Sequence, residues 1–311
     1  VNLAQASIGL FPANLAGAVV LFGAPTLAAS AFLSGTTAVV VLLGLLALTR
    51  VRGSRLALPV GASVVYSVVG LRLAAETGWW GGLAMGLTVA VLSGIGIHTI
   101  VMQRFRRAPR LVVTVATIGL AQYFVVNGLL VPRLWNKVAL VTEGGAKTGF
   151  EVPGNWTVTI GQTVFHSAEV VAVCVALVSI LAIGLALRYT DIGIAVRAAA
   201  NRADRAVMLG IPVERLEAGV WVVASVLAFV STYVQAGILG LEITSGIGLR
   251  VMVAALGAMV LGGFVSMPAM VCAAVAIGVL AQASGPAGGH SLTLTDAVLA
   301  AVVLAGVVLR R

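Results

Sequence analysis

The sequence predicts an all-α protein, a polytopic bundle of transmembrane helices. Of 311 residues, 60% are hydrophobic and only 9% are charged, whereas about 25% of a soluble protein is charged. Apolar runs of about 20 residues, the length that crosses a bilayer, recur between clusters of charge. This composition excludes a soluble enzyme, a disordered chain and a nucleic-acid-binding protein. The net charge of +9 is therefore explained by basic residues that stay on the cytoplasmic side of the membrane.

The apolar runs predict about eight to ten membrane segments in a single transmembrane domain that covers residues 1–311. A helix satisfies its own backbone hydrogen bonds, which hydrocarbon requires. We expect the first span to be broken or re-entrant because it contains Pro12, Asn14 and Pro25. Pro268 is expected to divide the stretch 251–284. The predicted spans are 8–31, 36–49, 56–75, 82–102, 111–131, 168–188, 217–239, 251–267, 269–284 and 293–309.

Most of the 19 basic residues fall into four clusters between spans, and such clusters stay on the cytoplasmic side. The 132–167 loop is then external, and its alternating run from Trp156 to Phe165 predicts a small hairpin. Trp79, Trp80 and Trp135 fall at outer span edges, where interfacial aromatics lie. The basic clusters are Arg50, Arg52 and Arg55; Arg104, Arg106, Arg107 and Arg110; Arg188, Arg197, Arg202, Arg205 and Arg215; and Arg310 and Arg311.

Motifs for catalysis or for metal binding are not found in the sequence. Cys174 and Cys272 lie in apolar runs without ligand spacing, so we expect them to be packing residues. The three histidines are scattered. A phosphate loop is not formed around Lys147, because Val141 and Ala146 stand where the pattern needs glycine. We expect no enzyme activity, no metal and no cofactor bound by this chain.

A short cytoplasmic segment, residues 189–216, separates two strong spans. Asn201 is predicted to cap a helix over 202–209, with Asp204 in its first turn. Gly210 suits the left-handed residue after a helix, and Pro212 prevents continuation. The predicted helix is about 12 Å long.

Such a short helix is marginal alone in water and needs a packing partner. Two interpretations remain open: it lies along its own spans at the membrane surface, or it docks onto a soluble cytoplasmic partner and transmits motion to the spans. Its narrow face of small side chains permits close docking. That face consists of Ala203, Ala206, Val207 and Gly210, while Arg202, Arg205 and Met208 point elsewhere.

Three blocks carry a resemblance to a known family. Residues 193–213, with AVRAAA and then Leu209, Gly210 and Ile211, resemble the coupling segment of ABC importer permeases of the branched-chain amino-acid permease family. VNLAQA at 1–6 and the glycine-rich block at 262–268 are similar to an early and a late motif of that family. The chain departs from the family pattern at Ala6, Val265 and Ala269, where glycines are usual, and it lacks a glutamate near the start of the coupling segment.

The resemblance implies an importer permease in a bacterial cytoplasmic membrane. The implied partners are two ATP-binding cassette subunits that hold ATP and Mg²⁺, a second permease subunit and an extracytoplasmic solute-binding protein. A transmembrane helix precedes VNLAQA in the family, so we expect this chain to lack its first span. The residues implied to couple to the ATPase are Arg197, Ala199, Asn201, Ala203, Asp204, Ala206, Val207, Leu209 and Gly210.

Two other functions remain open, an ion-coupled secondary transporter and a membrane subunit without transport. A secondary transporter needs paired ionisable groups deep in the membrane. Arg72 and Glu76 lie near the outer interface, and no acidic residue falls at the centre of a predicted span. This favours a neutral or zwitterionic solute, which the resemblance narrows to hydrophobic amino acids or small amides. The predicted pathway residues are Asn2, Gln5, Thr244, Ser245 and Pro268.

Overall fold

The computed structural model describes residues 5–23, 57–105, 108–133, 156–160, 163–239, 247–263, 267–287 and 300–301. They belong to two compact units, residues 1–244 and 245–311. The described residues are helical apart from turns and one hairpin, so the all-α prediction is confirmed.

The first unit contains ten helices and one hairpin among its described residues. The hairpin predicted in the external loop is present, with Val158 opposite Phe165 and Thr157 opposite His166. A π-helical segment, Ile97–Met102, continues α4 and is followed by the single turn α5. The elements are α1 (Gln5–Ile8), α2 (Leu10–Phe22), α3 (Ala57–Thr77), α4 (Trp79–Gly96), α5 (Gln103–Phe105), α6 (Arg110–Arg133), β1 (Thr157–Ile160), β2 (Thr163–His166), α7 (Ser167–Tyr189), α8 (Asp191–Asn201), α9 (Ala203–Met208) and α10 (Val213–Leu239).

Three described helices are long and apolar enough to cross a membrane: Trp79–Phe105, Ser167–Tyr189 and Val213–Ile238. Shorter apolar helices cover Leu10–Phe22, Val112–Gly128, Val253–Gly262 and Pro268–Ala281. Each overlaps a predicted span. The predicted spans 36–49 and 293–309 lie outside the described residues, except for residues 300–301.

Helix α2 lies at the centre of the first unit. Its residues from Leu10 to Val19 are buried, and it packs against α4, α6 and α10. At 13 residues it is about 20 Å long, shorter than a bilayer core of about 30 Å. Pro12 does not break α2, because a proline in the first helical turn gives up no hydrogen bond, and Pro25 lies outside the described residues. The helix ends at Gly23, which has φ +71°.

Glycines bring three helices of this unit into close contact. A Cβ on Gly86 of α4 would lie 2.2 Å from the Phe229 ring of α10, and one on Gly82 would lie 2.6 Å from Val20 of α2. A Cβ on Gly9 would lie 2.3 Å from the backbone of Ala228. Since lipid tails are as apolar as side chains, helix association in a membrane depends on such close packing. Gly82 and Gly86 therefore allow α4 to pack closely against α2 and α10.

The second unit contains two packed helices among its described residues, α11 (Ile247–Gly262) and α12 (Met267–Ala287). Division of the 251–284 stretch is confirmed, but the predicted boundary at Pro268 is wrong. Helix α11 ends at Gly262 because Gly263 adopts φ +81°, a conformation that favours glycine. Pro268 is the second residue of α12, where its missing N–H costs nothing.

One hydrogen bond joins α2 to α6. The Asn14 side chain, which is fully buried, donates from Nδ2 to the Gly128 carbonyl at 2.9 Å. In an α-helix that carbonyl would accept from the residue four positions later, but this residue is Pro132, which has no N–H. Asn14 thus supplies the donor that Pro132 lacks, as membrane helices require.

We expect Asn14→Leu to destabilise the protein by about 1 kcal/mol, because the Gly128 carbonyl loses its donor in a water-free environment. Pro132→Ala restores a backbone N–H at that carbonyl. The double variant should therefore lose less stability than the sum of the two single variants. Thermal unfolding of all four proteins in detergent measures this coupling, and strictly additive losses would contradict it.

Candidate coupling site

The coupling segment, residues 189–216, begins with a tight junction between α7 and α8. Thr190 caps α8 by accepting the Gly193 N–H on Oγ1 at 3.0 Å. A Cβ on Gly193 would lie 2.4 Å from the Ala186 carbonyl oxygen of α7. These contacts hold the start of α8 against the end of α7. Sequence reasoning missed α8, although Thr190 followed by Asp191 is a helix-start signal.

The break between α8 and α9 differs from the predicted one. Asn201 is the last residue of α8, and Arg202 is the N-cap of α9, with extended backbone and no side-chain cap hydrogen bond. The predicted cap at Asn201 is therefore wrong. The Arg202 N–H donates to the Ala198 carbonyl at 3.1 Å, so α8 continues to the position where α9 was expected to start.

The end of α9 agrees with the prediction. Gly210 has φ +79°, and the Ile211 N–H donates to the Ala206 carbonyl at 3.1 Å. Pro212 follows, and α10 begins at Val213. This glycine-ended turn satisfies carbonyls that would otherwise stay free. It joins α9 directly to the long span α10.

The side chains at the end of α9 differ in exposure. Ala206 is only 2% exposed and is buried within its own chain. Val207, Met208 and Leu209 are 60%, 87% and 79% exposed, and we call these three residues the apolar tip. Ala206 and Val207, which were predicted to share one face, therefore differ in exposure, whereas Met208, which was predicted to point away from that face, is the most exposed of the four.

An open groove of about 280 Å³ lies between α8 and α10. Its walls are mostly apolar and include Ala199, one of the predicted coupling residues. Arg197 is exposed and donates from Nε to the Gly193 carbonyl at 3.4 Å. The main lining residues are Val196, Ala199 and Ala200 on α8 and Val213, Leu216 and Val220 on α10.

The remaining predicted site residues are not brought together by the described structure. Ala203 and Asp204 lie in α9, but their side chains are outside the description, as is the side chain of Gln5 in α1. Pro268 is exposed in the second unit. Asn2, Thr244 and Ser245 lie outside the described residues, so the predicted solute pathway stays a prediction.

The buried polar side chains of the described residues are uncharged hydroxyls and an amide, with one imidazole, that of His98. Arg72 and Glu76 are both exposed at the end of α3. Within the described part of the chain, no group of three or more His, Cys, Asp or Glu side chains is placed to hold a metal ion. The buried set comprises Ser7, Asn14, Ser63, Ser67, Ser93, His98, Thr117, Ser167 and Ser225.

Apolar helices around a core of uncharged side chains, with a basic segment between two long spans, define a polytopic membrane protein. Comparison with known families specifies it further. The chain belongs to the family described as branched-chain amino acid transport system / permease component, whose sequence profile matches residues 1–307. It is therefore a transport permease rather than an enzyme.

The curated relatives agree with this family. The chain is 25% identical over 230 residues to LivH, the high-affinity branched-chain amino acid transport system permease protein of Escherichia coli strain K12. The match covers 71% of this chain and 71% of LivH. LivH of Escherichia coli O157:H7 matches to the same extent. No solved structure matches the chain.

We predict that Gly210→Ala destabilises the coupling segment by about 1 kcal/mol or more, because an L-residue is strained at positive φ. An added Cβ at Gly210 meets nothing within 4 Å, so the cost comes from the backbone alone. Gly219→Ala is the matched control, since that position is helical and equally open. Hydrogen exchange of the α9 amides should accelerate only in Gly210→Ala, and equal exchange in both variants would refute the turn.

Proposed function

We propose that this chain is the permease subunit of an ABC importer in a bacterial cytoplasmic membrane. Its solutes are branched-chain or other hydrophobic amino acids, or related small amides. Membership of the permease family and the relation to LivH support this class of solute. The uncharged character of the described buried side chains suits a zwitterionic or neutral solute and gives no support to ion coupling through buried carboxylates.

Transport in this proposal is driven by two separate ATP-binding cassette subunits, which hold the ATP and Mg²⁺. A second permease subunit completes the membrane pathway, and an extracytoplasmic binding protein delivers the solute. The single observation that carries the ATPase assignment is the apolar tip. Three large apolar side chains exposed together on a short helix form the kind of anchor that a groove on another protein buries.

The coupling segment has suitable attachments for transmitting motion. On one side, Thr190 and Gly193 fix α8 to α7. On the other side, the turn at Gly210 leads into α10, which packs closely against α4 and α2. Movement of the tip by an ATPase would therefore be passed to the central helices of the bundle. The permease itself makes and breaks no covalent bond.

Substitution Val207→Asp should reduce co-purification of the ATPase by about tenfold or more, because an aspartate would be buried in an apolar contact. Val164→Asp is the matched control, since it adds the same charge to an exposed valine of the external hairpin. Both variants should leave the thermal unfolding of the isolated permease unchanged.

The measurement is the ATPase-to-permease ratio after affinity purification from membranes. An unchanged ratio for Val207→Asp would reject docking through the tip. Equal losses for the two variants would indicate a general effect of the added charge. Uptake of labelled leucine into proteoliposomes that contain the complete importer tests the solute class.

A further inference from the structure

One described span changes its helical type near its end. Helix α4 continues as the π-helical segment Ile97–Met102, in which the Gln103 N–H reaches the His98 carbonyl five residues earlier. A π turn holds one more residue than an α turn, is rare, and occurs frequently at functional sites. No proline and no cis peptide bond accompanies it, so this turn is a feature of the packing around it.

The part of α4 before the π segment is fixed to α10. A Cβ on Gly94 would lie 2.8 Å from Ser225 Oγ and 3.0 Å from the Trp221 carbonyl oxygen. Ser93 and Gly96 are buried as well. In the close-packed interior of the unit, this stretch has no room to rotate.

The part after the π segment is much less constrained. Only the turn α5 (Gln103–Phe105) follows, and both Gln103 and Arg104 are exposed. The Ala108 N–H donates to the Phe105 carbonyl at 2.9 Å, and Pro109 follows. Because α5 ends three residues after Met102, only this single turn follows the π segment and has to move with it.

Thr99 offers an alternative hydrogen-bond donor inside this region. Its hydroxyl lies 2.8 Å from the Ile95 carbonyl oxygen and 3.3 Å from that of Gly96. When a π turn changes to an α turn, each N–H changes its acceptor by one residue. A hydroxyl within reach of both carbonyls can keep one satisfied during the exchange, which lowers the cost in a water-free environment.

We propose that the π segment is a joint between the fixed and the free parts of this span. Exchange between π and α turns rotates the residues after Met102 by about 100° and shifts them by about 1.5 Å. This motion moves Arg104 relative to α10. Use of the joint in the transport cycle rests on the proposed importer function, whereas the exchange itself does not.

Hydrogen exchange of the permease alone in nanodiscs tests the joint. We expect amides 97–103 to exchange at least about tenfold faster than amides 86–96. Deletion of Val101 removes the extra residue and should slow the faster group to the rate of its neighbours. Deletion of Ala108 shortens the chain equally outside the helix and should leave the exchange rates unchanged. Equal protection of both groups in the unaltered protein would overturn the proposal.

Thr99→Val provides a second test that changes no chain length. It keeps the shape of the side chain, removes the donor, and should slow exchange of amides 97–103 several-fold. In the complete importer, the Val101 deletion should reduce the uptake rate about tenfold or more, and the Ala108 deletion should not. Normal uptake by the Val101 deletion would show that transport does not use the joint. The two proposals can fail separately. If amides 97–103 exchange fast but the unaltered importer takes up no amino acid, the joint is supported and the proposed class of solute is rejected.

Discussion

Close approach of helix backbones at glycines is the interaction on which the first unit depends. In hydrocarbon no hydrophobic driving force pulls helices together, so packing and hydrogen bonds must hold them. Gly82 and Gly86 of α4 meet Val20 of α2 and Phe229 of α10 at distances that leave no space for a side chain. The Tyr233 hydroxyl adds a hydrogen bond to the Trp79 carbonyl at 3.0 Å. These contacts join α2, α4 and α10 into one closely packed group.

The candidate site takes its position from this group. Helix α10 extends from the packed core to the coupling segment, where Val213 is still buried. Near the turn at Gly210 the apolar tip is exposed, while the buried Ala206 packs α9 against its own chain. An exposed tip joined to a packed span is a suitable geometry for passing on motion, and the proposed joint at the π segment would add a second adjustable element at the end of a neighbouring span.

Much of the fold was predictable from the sequence, because long apolar runs leave the backbone few choices in a bilayer. The hairpin of β1 and β2 and the left-handed Gly210 were also predicted, since alternation and glycine give strong local signals. Other features depend on tertiary contacts. Pro12 and Pro268 were expected to interrupt helices, but both fall in first turns, and only the position of the helix start decides which outcome applies.

The same dependence explains the errors at the coupling segment. Asn201 has a good capping side chain, but Thr190 caps an earlier helix that continues to Asn201. Spacing alone placed Ala206 and Val207 on one face. Their burial differs because α9 packs against the start of α10. This contact cannot be inferred from the helical spacing of residues in the sequence. The Asn14 contact with Gly128 is similarly invisible, since its partners are 114 positions apart.

Thermal unfolding of Gly86→Ala beside Gly184→Ala tests the central claim most directly. The first variant places a methyl group against the Phe229 ring, and the second places one in open space on α7. Overpacking should cost about 1–3 kcal/mol at Gly86, whereas alanine at Gly184 should be neutral or stabilising by up to about 1 kcal/mol. If the two variants unfold at the same temperature, glycine-mediated contact does not hold these helices together.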